Sequence, residues 1–142
     1  MPVFVSGITM ARQLAVVDAR AQKMFKKHWP GAYTFVLKRK TSNSTKSTVV
    51  EFVELHGVDK KTIALRVPKN TFLLKLLKKM GRPLVQTSVN LAGQEPLKTG
   101  EQIMATFGKS RLVRLIIISS KPLKRKSSKV IDLSGKKVVT LR

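Results

Sequence analysis

A serine and an asparagine stand two residues apart in the segment TSVN (87–90), shortly before Gly93. We predict a strand over 84–88; if it persists to Asn90, side-chain alternation places Ser88 and Asn90 on the same side. At the end of a strand in an α/β sheet they would face the crevice that binds ligands, where a hydroxyl and an amide suit phosphate or carboxylate oxygens. On spacing alone, Asn90 could instead cap its own turn while Ser88 bonds nearby backbone.

The charge balance points to an anionic partner. The 142 residues include 29 Lys and Arg against 7 Asp and Glu, a formal net charge of +22. Such an excess opposes compaction unless a polyanion offsets it, and nucleic acid is the usual one. There are two alternatives to a nucleic-acid partner. The composition could be biased towards lysine without any specific partner, or the partner could be a membrane surface. Two basic clusters are candidate RNA-binding residues or else solvated loops: Lys38, Arg39 and Lys40, and Lys121, Lys124, Arg125 and Lys126. Because few aromatic residues accompany them, shape-based contact with a duplex is favoured over base stacking.

Several classes of site are excluded by composition. Without any Cys, the chain offers no disulfide, thiolate metal site or thiol nucleophile. Two histidines, His28 and His56, are too few for a histidine metal centre without carboxylates. We expect a cytoplasmic protein with no membrane span, because no apolar run reaches 18 residues and the first residues do not resemble a signal peptide.

The hydrophobic pattern predicts a single α/β domain over residues 1–142 with a mixed parallel and antiparallel sheet. We expect helices over 9–28, 72–80 and 99–107. Asn70 or Thr71 would cap the second helix and Gly81 would mark its end, and a Thr99–Gln102 capping box opens the third. Strands are expected at 2–6, 33–39, 47–55, 62–68, 84–88, 111–119, 129–133 and 137–141. The stretch 33–39 and 47–55 would form a hairpin with a long polar loop.

Four blocks in this order resemble the YrdC family, the L-threonylcarbamoyladenylate synthases. They are WPGAYTFVL, IALRVP, GRPLVQTSVNLAGQEPLKT and SSKVIDL, followed by a final LR. The similarity runs from Pro2 to Arg142. It implies a twisted mixed sheet with flanking helices, the YrdC/RibB-like fold, around a positively charged cavity, and an affinity for tRNA or double-stranded RNA.

The resemblance also implies a reaction and a nucleotide site. L-threonine, bicarbonate and ATP would form L-threonylcarbamoyladenylate and pyrophosphate, for the modification of an adenosine in tRNA. Mg²⁺ would assist, and a threonylcarbamoyl-transferase complex would be a further partner. No protein nucleophile is needed, because the transfer requires positioning and charge neutralisation at the phosphates. Carried over by position, the implied ATP-binding residues are Arg66, Ser88, Asn90, Ser128 and Arg142.

The chain departs from the family pattern in three places. Ala32 stands where the family has a second Pro, and Lys129 where it has Thr. The family's Pro-Thr-x-Thr-x-Tyr-Gly-Leu and Lys-x-Arg blocks precede the segment seen here, so we expect an N-terminally short domain that leaves the threonine-binding residues outside this chain. A non-catalytic double-stranded RNA- or tRNA-binding remnant of the same fold is therefore the alternative function.

Overall fold

The structure, a computed structural model, describes residues 1–40, 58–118 and 127–142. Its contacts divide the chain into two compact units, Met1–Gln86 with Lys126–Arg142 and Thr87–Arg125. The helices are α1 (Ile8–Leu14), α2 (Ala19–His28), α3 (Thr71–Met80) and α4 (Gly100–Phe107). The strands are β1 (Pro2–Phe4), β2 (Tyr33–Lys38), β3 (Thr62–Arg66), β4 (Leu84–Val85), β5 (Lys129–Asp132) and β6 (Val139–Thr140).

The strands of the first unit form one mixed sheet. Within the described residues it has six strands in the order β4-β1-β3-β2-β5-β6. The pairs β1–β3 and β2–β5 are parallel, and the other three neighbouring pairs are antiparallel. The predicted α/β class with a mixed sheet is therefore confirmed. Because β3 and β2 run in opposite directions, β3 ends at the same end of the sheet at which β2 and β5 begin. We call this the Arg66 end and the opposite one the Lys38 end.

One face of the sheet carries the hydrophobic core of this unit. Phe35 and Leu37 of β2 and Leu65 of β3 are almost fully buried and pack with Phe25 of α2. Burying a side chain of this size contributes about 1.5–3 kcal/mol. The alternation predicted for residues 33–39 is confirmed on this face. Helices α1 and α2 thus cover one side of the sheet, and the alternate residues of each strand point to the other side.

The helix predicted over 9–28 is two helices, which corrects the sequence expectation. Helix α1 ends at Leu14, and Ala15 forms an isolated antiparallel bridge with Arg39. Asp18 then caps α2, its carboxylate accepting a hydrogen bond of 2.8 Å from the backbone N–H of Ala21. The apolar spacing continued through the break because residues on both sides pack against the same sheet. The predicted helix end before Pro30 is confirmed, because α2 ends at His28.

Helix α3 begins and ends at the predicted signals. The Asn70 side chain accepts a hydrogen bond of 3.0 Å from the backbone N–H of Leu73. Gly81 ends the helix in the left-handed region at a φ of 63°, where a side chain would be strained. After it, β4 ends at Val85 and does not reach Ser88, so the strand expectation for 84–88 is wrong in its second half.

The second unit contains α4 and irregular backbone. The Thr99–Gln102 capping box and the helix end at Phe107 are confirmed. Residues 111–118 form no strand, and Leu112 is 93% exposed, which contradicts the buried strand predicted at 111–119. The strand was predicted from the run of apolar residues alone. Among the described residues no neighbouring strand pairs with this run, so it forms no strand. The strand expected at 47–55 lies outside the described residues.

Candidate functional site

Two neighbouring strands, β2 and β3, place polar side chains on one face at the Arg66 end of the sheet. Strand β1 pairs Phe4 with Arg66, and β5 pairs Val130 with Thr34. Phe35 of β2 pairs with Leu65 of β3, and one residue further along, the same antiparallel register sets Thr34 opposite Arg66. Directly opposite residues have Cβ atoms about 4.5–5.5 Å apart, so this row brings Arg66 and Thr34 together on the face away from the core.

The hydroxyl groups of Thr34 and Ser128 form a buried pair in this row. They share a hydrogen bond of 2.8 Å between residues that are 94 positions apart in the sequence. Thr34 is 1% exposed and Ser128 is 7% exposed. Each hydroxyl has one hydrogen to donate, so the shared bond leaves the hydrogen of the acceptor for another group. The pair fixes the start of β5 against β2, beside Arg66.

A tight turn formed by the WPG segment holds the guanidinium of Arg66. The Trp29–Pro30 peptide bond is cis, and the Gly31 N–H donates to the carbonyl of Val67 at 3.0 Å. The Arg66 Nε donates in turn to the carbonyl of Gly31 at 3.0 Å. A Cβ on Gly31 would lie against the carbonyl oxygen of His28, well inside van der Waals contact, so this approach requires glycine.

Arg66 is further positioned by an aromatic ring. Its guanidinium carbon lies 5.8 Å from the ring centroid of Phe4, within the range of a cation–π contact. Together with the Gly31 bond this contact orients a half-buried cation on the face of the sheet away from the core. The planar guanidinium fork suits phosphate or carboxylate oxygens, which it can bind in a bidentate manner.

His28 lines the same end of the sheet and is held neutral. Its ring stacks on Tyr33 with the centroids 4.0 Å apart. Burial lowers the pKa of His28 below its usual value, and the positive charges of Lys27 and Lys129 lower it further. The lowered pKa favours the neutral form of this ring.

The remaining predicted phosphate-site residues fall in different places. Arg142 follows β6, is exposed, and pairs through its backbone with Val130, which places it at the Arg66 end. Ser88 and Asn90 belong to the second unit. There the Ser88 hydroxyl donates to the Asn90 side-chain oxygen at 2.5 Å, and the Asn90 amide donates to the carbonyls of Leu91 and Gln94. Their local geometry is that of the turn, the alternative that spacing left open.

The first predicted basic cluster lies at the Lys38 end, and the second lies outside the described residues. Lys38 and Lys40 are exposed. The Arg39 guanidinium donates to the carbonyl of Asp59 at 3.2 Å and so anchors a turn. Of the second cluster, Lys121, Lys124, Arg125 and Lys126, nothing structural is described. RNA binding by either cluster remains a prediction.

Sequence reasoning missed Thr34. The residue follows Tyr33 and precedes Phe35, two apolar residues that point to the core. Period-two alternation alone would have placed Thr34 on the opposite face, but only the pairing of β2 with β5 reveals its contact with Ser128. In chemical terms, the Arg66 end offers one oriented guanidinium and a hydroxyl pair, an arrangement that binds anionic oxygens.

The family model Sua5_yciO_yrdC, described as telomere recombination, matches residues 1–142. The chain belongs to the Sua5/YciO/YrdC family. A threonylcarbamoyl-AMP synthase of Neisseria meningitidis is 33% identical over 96 residues, which are 68% of this chain and 47% of that relative. The chain thus spans about half the length of the curated relatives it matches. The resemblance inferred from the four sequence blocks is confirmed.

Solved structures of the Sua5/YciO/YrdC family share the fold. Sua5 of P. abyssi, in a complex with L-threonine, has a TM-score of 0.75 at 27% identity, over 99% of this chain and 38% of that protein. E. coli YciO has a TM-score of 0.74 at 30% identity, over 99% of this chain and 64% of that protein. Both likenesses extend over almost the whole chain, so they support the α/β architecture seen in the described residues.

Within residues 1–40, 58–118 and 127–142, no helix is long and apolar enough to span a bilayer. No group of three His, Cys, Asp or Glu side chains in these ranges is placed to hold a metal ion.

Proposed function

We propose that the Arg66 end of the sheet binds the phosphates of ATP, and that the chain takes part in forming L-threonylcarbamoyladenylate for tRNA modification in the cytoplasm. The observation that carries this proposal is the oriented guanidinium of Arg66, held by the carbonyl of Gly31 and lying beside the Thr34–Ser128 pair. Membership of a family that includes threonylcarbamoyl-AMP synthases supplies the reaction. L-threonine bound to the P. abyssi Sua5 neighbour supports threonine as the second substrate.

The proposed reaction requires stabilisation of the negative charge on the phosphate oxygens around the reacting phosphorus. The amine of threonine forms an N–C bond to the carbon of bicarbonate with loss of water, which gives a carbamate, and a carbamate oxygen then attacks the α-phosphorus of ATP. The bond from that phosphorus to the β-phosphate oxygen breaks, and pyrophosphate leaves with the electron pair. Arg66 neutralises negative charge on the phosphate oxygens, where an oriented donor is most effective. ATP enters as its Mg²⁺ complex, in which the phosphates themselves supply oxygen ligands to the metal.

Substitution of Arg66 tests the proposal. We expect Arg66→Gln to weaken ATP binding about 10- to 100-fold, since a hydrogen bond to a charged group contributes about 1.5–3 kcal/mol. Arg66→Lys should recover part of the affinity through charge alone. Lys61→Gln is the matched control, because Lys61 is exposed and precedes β3 at the Lys38 end. ATP affinity is measured by calorimetry, and pyrophosphate release is measured with threonine, bicarbonate and ATP.

Two results would overturn the proposal. Equal ATP affinity in Arg66→Gln and Lys61→Gln would show that the Arg66 end is not the phosphate site. No pyrophosphate release by this chain, joined to the segment that precedes it in the longer relatives, would remove the synthase activity.

The net charge favours a second candidate, an RNA-binding module of the same fold. Even if all 7 acidic residues paired with cations one to one, 22 of the 29 basic residues would remain unpaired. Exposed Lys38 and Lys40 would contact the phosphates of tRNA or of duplex RNA, and a threonylcarbamoyl-transferase complex would be the further partner. This candidate predicts duplex RNA binding that weakens steeply with salt and that Arg66→Gln leaves unchanged. Salt-independent binding would contradict it.

A further inference from the structure

A hollow of about 220 Å³ opens at the Lys38 end of the sheet, at the opposite ends of β2 and β5 from Arg66. The rise along the six residues of β2 separates the two ends by about 17 Å. Its walls are the segment before α2, the end of β2 and the turn between β5 and β6. The lining residues are Val16, Asp18, Arg20, Lys38, Leu133, Ser134, Gly135 and Lys136.

Arg20 builds one wall of the hollow and fixes its shape. Its Nε and Nη2 donate to the carboxylate of Asp18 at 3.0 and 2.9 Å. Its Nη2 and Nη1 also donate to the carbonyls of Gly135 and Lys136, at 3.0 and 2.6 Å. The charge of Arg20 is thereby balanced by Asp18, while the hairpin turn is tied to the start of α2. Arg20 therefore holds the turn in place, and the charge of a bound anion must be neutralised by other side chains.

Two lysines supply that charge. Lys38 and Lys136 line the hollow from different elements, β2 and the hairpin turn. Neither ammonium group has a hydrogen-bond or ion-pair partner among the residues that the structure describes. With Arg20 and Asp18 balancing each other, the lining carries a net charge of +2. Ammonium groups are compact point charges that bind phosphate well.

The size of the hollow limits what it can hold. Sites for drug-sized molecules have volumes of about 300–1,000 Å³, so 220 Å³ suits a single anionic group and not a whole nucleotide. We propose that the hollow binds one phosphate group, either as free phosphate or as a phosphodiester in the backbone of a nucleic acid. The site is independent of the proposed ATP site, since no residue is common to both.

Titration with inorganic phosphate tests the hollow residue by residue. The full chain is labelled with ¹⁵N, and the amide signals of Ser134, Gly135 and Lys136 are followed. We expect saturable shifts centred on these three amides. The double substitution of Lys38 and Lys136 by Gln should weaken phosphate binding about tenfold, as expected for two solvent-exposed contacts. The same substitution of Lys26 and Lys75, which are exposed and do not line the hollow, removes equal charge and should leave the affinity unchanged.

Arg20→Lys separates shape from charge. This variant keeps the net charge but loses the planar fork that ties the turn to Asp18, so we expect weaker phosphate binding with an unchanged fold, checked by the rest of the amide spectrum. Phosphate shifts that do not saturate, or an equal loss in the Lys26 and Lys75 variant, would overturn the proposal.

Competition identifies the source of the phosphate. If a short RNA duplex displaces inorganic phosphate from the Ser134–Lys136 amides, the group bound is a backbone phosphodiester. If phosphate saturates these amides and the duplex does not displace it, free phosphate is the ligand. Both results support the hollow, and neither depends on ATP binding at Arg66.

Discussion

The hydroxyl pair of Thr34 and Ser128 joins two strands that are far apart in the sequence. A polar group that is buried without a partner loses its hydrogen bonds to water and costs about 1–3 kcal/mol. Because the two hydroxyls satisfy each other at 2.8 Å, neither pays this cost in the native chain. The hydroxyl pair therefore favours the observed register of β2 with β5 at the end of the sheet where Arg66 lies.

Removing both partners should cost less than the sum of the two single losses. We expect Thr34→Val to lower the free energy of unfolding by about 1–3 kcal/mol, because the Ser128 hydroxyl is left buried and unpaired. Ser128→Ala should have a similar effect, and the double variant should be less destabilised than the sum of the two. Urea unfolding measures all three. Thr140→Val, at an exposed strand position, is the control; strict additivity of the pair would contradict the prediction.

His28 should make stability depend on pH in the mildly acidic range. Its pKa is lowered from 6.5, so the folded state favours the neutral ring, mainly because of burial. The unfolded chain takes up the proton first as the pH falls below 6.5, and the free energy of unfolding must then decrease until the folded His28 is protonated as well. Urea unfolding at about pH 7.5 and about pH 5.5 measures the change. The His28→Gln variant should lose this part of the pH dependence. If its free energy of unfolding changed with pH as much as that of the native chain, the prediction would be wrong.

Chemistry at single residues was only partly visible in the sequence. The resemblance led to Arg66, and the structure shows why its guanidinium is oriented, through a turn whose Gly31 cannot be replaced by a larger residue. For Asn90, the spacing to Ser88 could not decide between a ligand contact and a turn, because short polar side chains serve both equally well. The contact of Thr34 with Ser128 depends on strand order, which no local pattern contains.

At the scale of elements, the break between α1 and α2 shows how a cap overrides periodicity. Asp18 accepts the backbone N–H of Ala21 and begins a new helix, although the apolar spacing runs on through 15–18. We expect Asp18→Ala to lower the free energy of unfolding by about 0.5–2 kcal/mol, the usual effect of losing a cap. Asp18→Asn keeps a capping oxygen and should recover most of it. Thermal and urea unfolding compare the variants, and equal loss in both would contradict the capping role.

Several element boundaries lay at local signals in the sequence. Asn70, Gly81 and the Thr99–Gln102 box lie where they were expected, because a cap acts within one helical turn. The errors arose where tertiary partners decide. An apolar run such as 111–118 becomes a strand only if another strand pairs with it, and none does among the described residues.

The whole molecule is dominated by its positive charge. With 29 basic and 7 acidic residues, most cations repel one another in the folded state. Any polyanion or bound anion relieves this repulsion, which is consistent with the two anion sites proposed above, at the Arg66 end and at the Lys38 end. Family membership supports the first proposal, and the positive charge of this chain supports the second.

Salt should therefore stabilise the fold and weaken RNA binding at the same time. Raising NaCl from about 0.05 M to about 0.5 M shortens the range of repulsion well below 10 Å, so we expect the Tm to rise. Over the same range the affinity for duplex RNA should fall steeply, because releasing counterions into a more concentrated salt solution gains less entropy. Differential scanning calorimetry and fluorescence anisotropy follow the two quantities. A Tm that falls with NaCl would show that attractive pairs outweigh the repulsion that +22 implies.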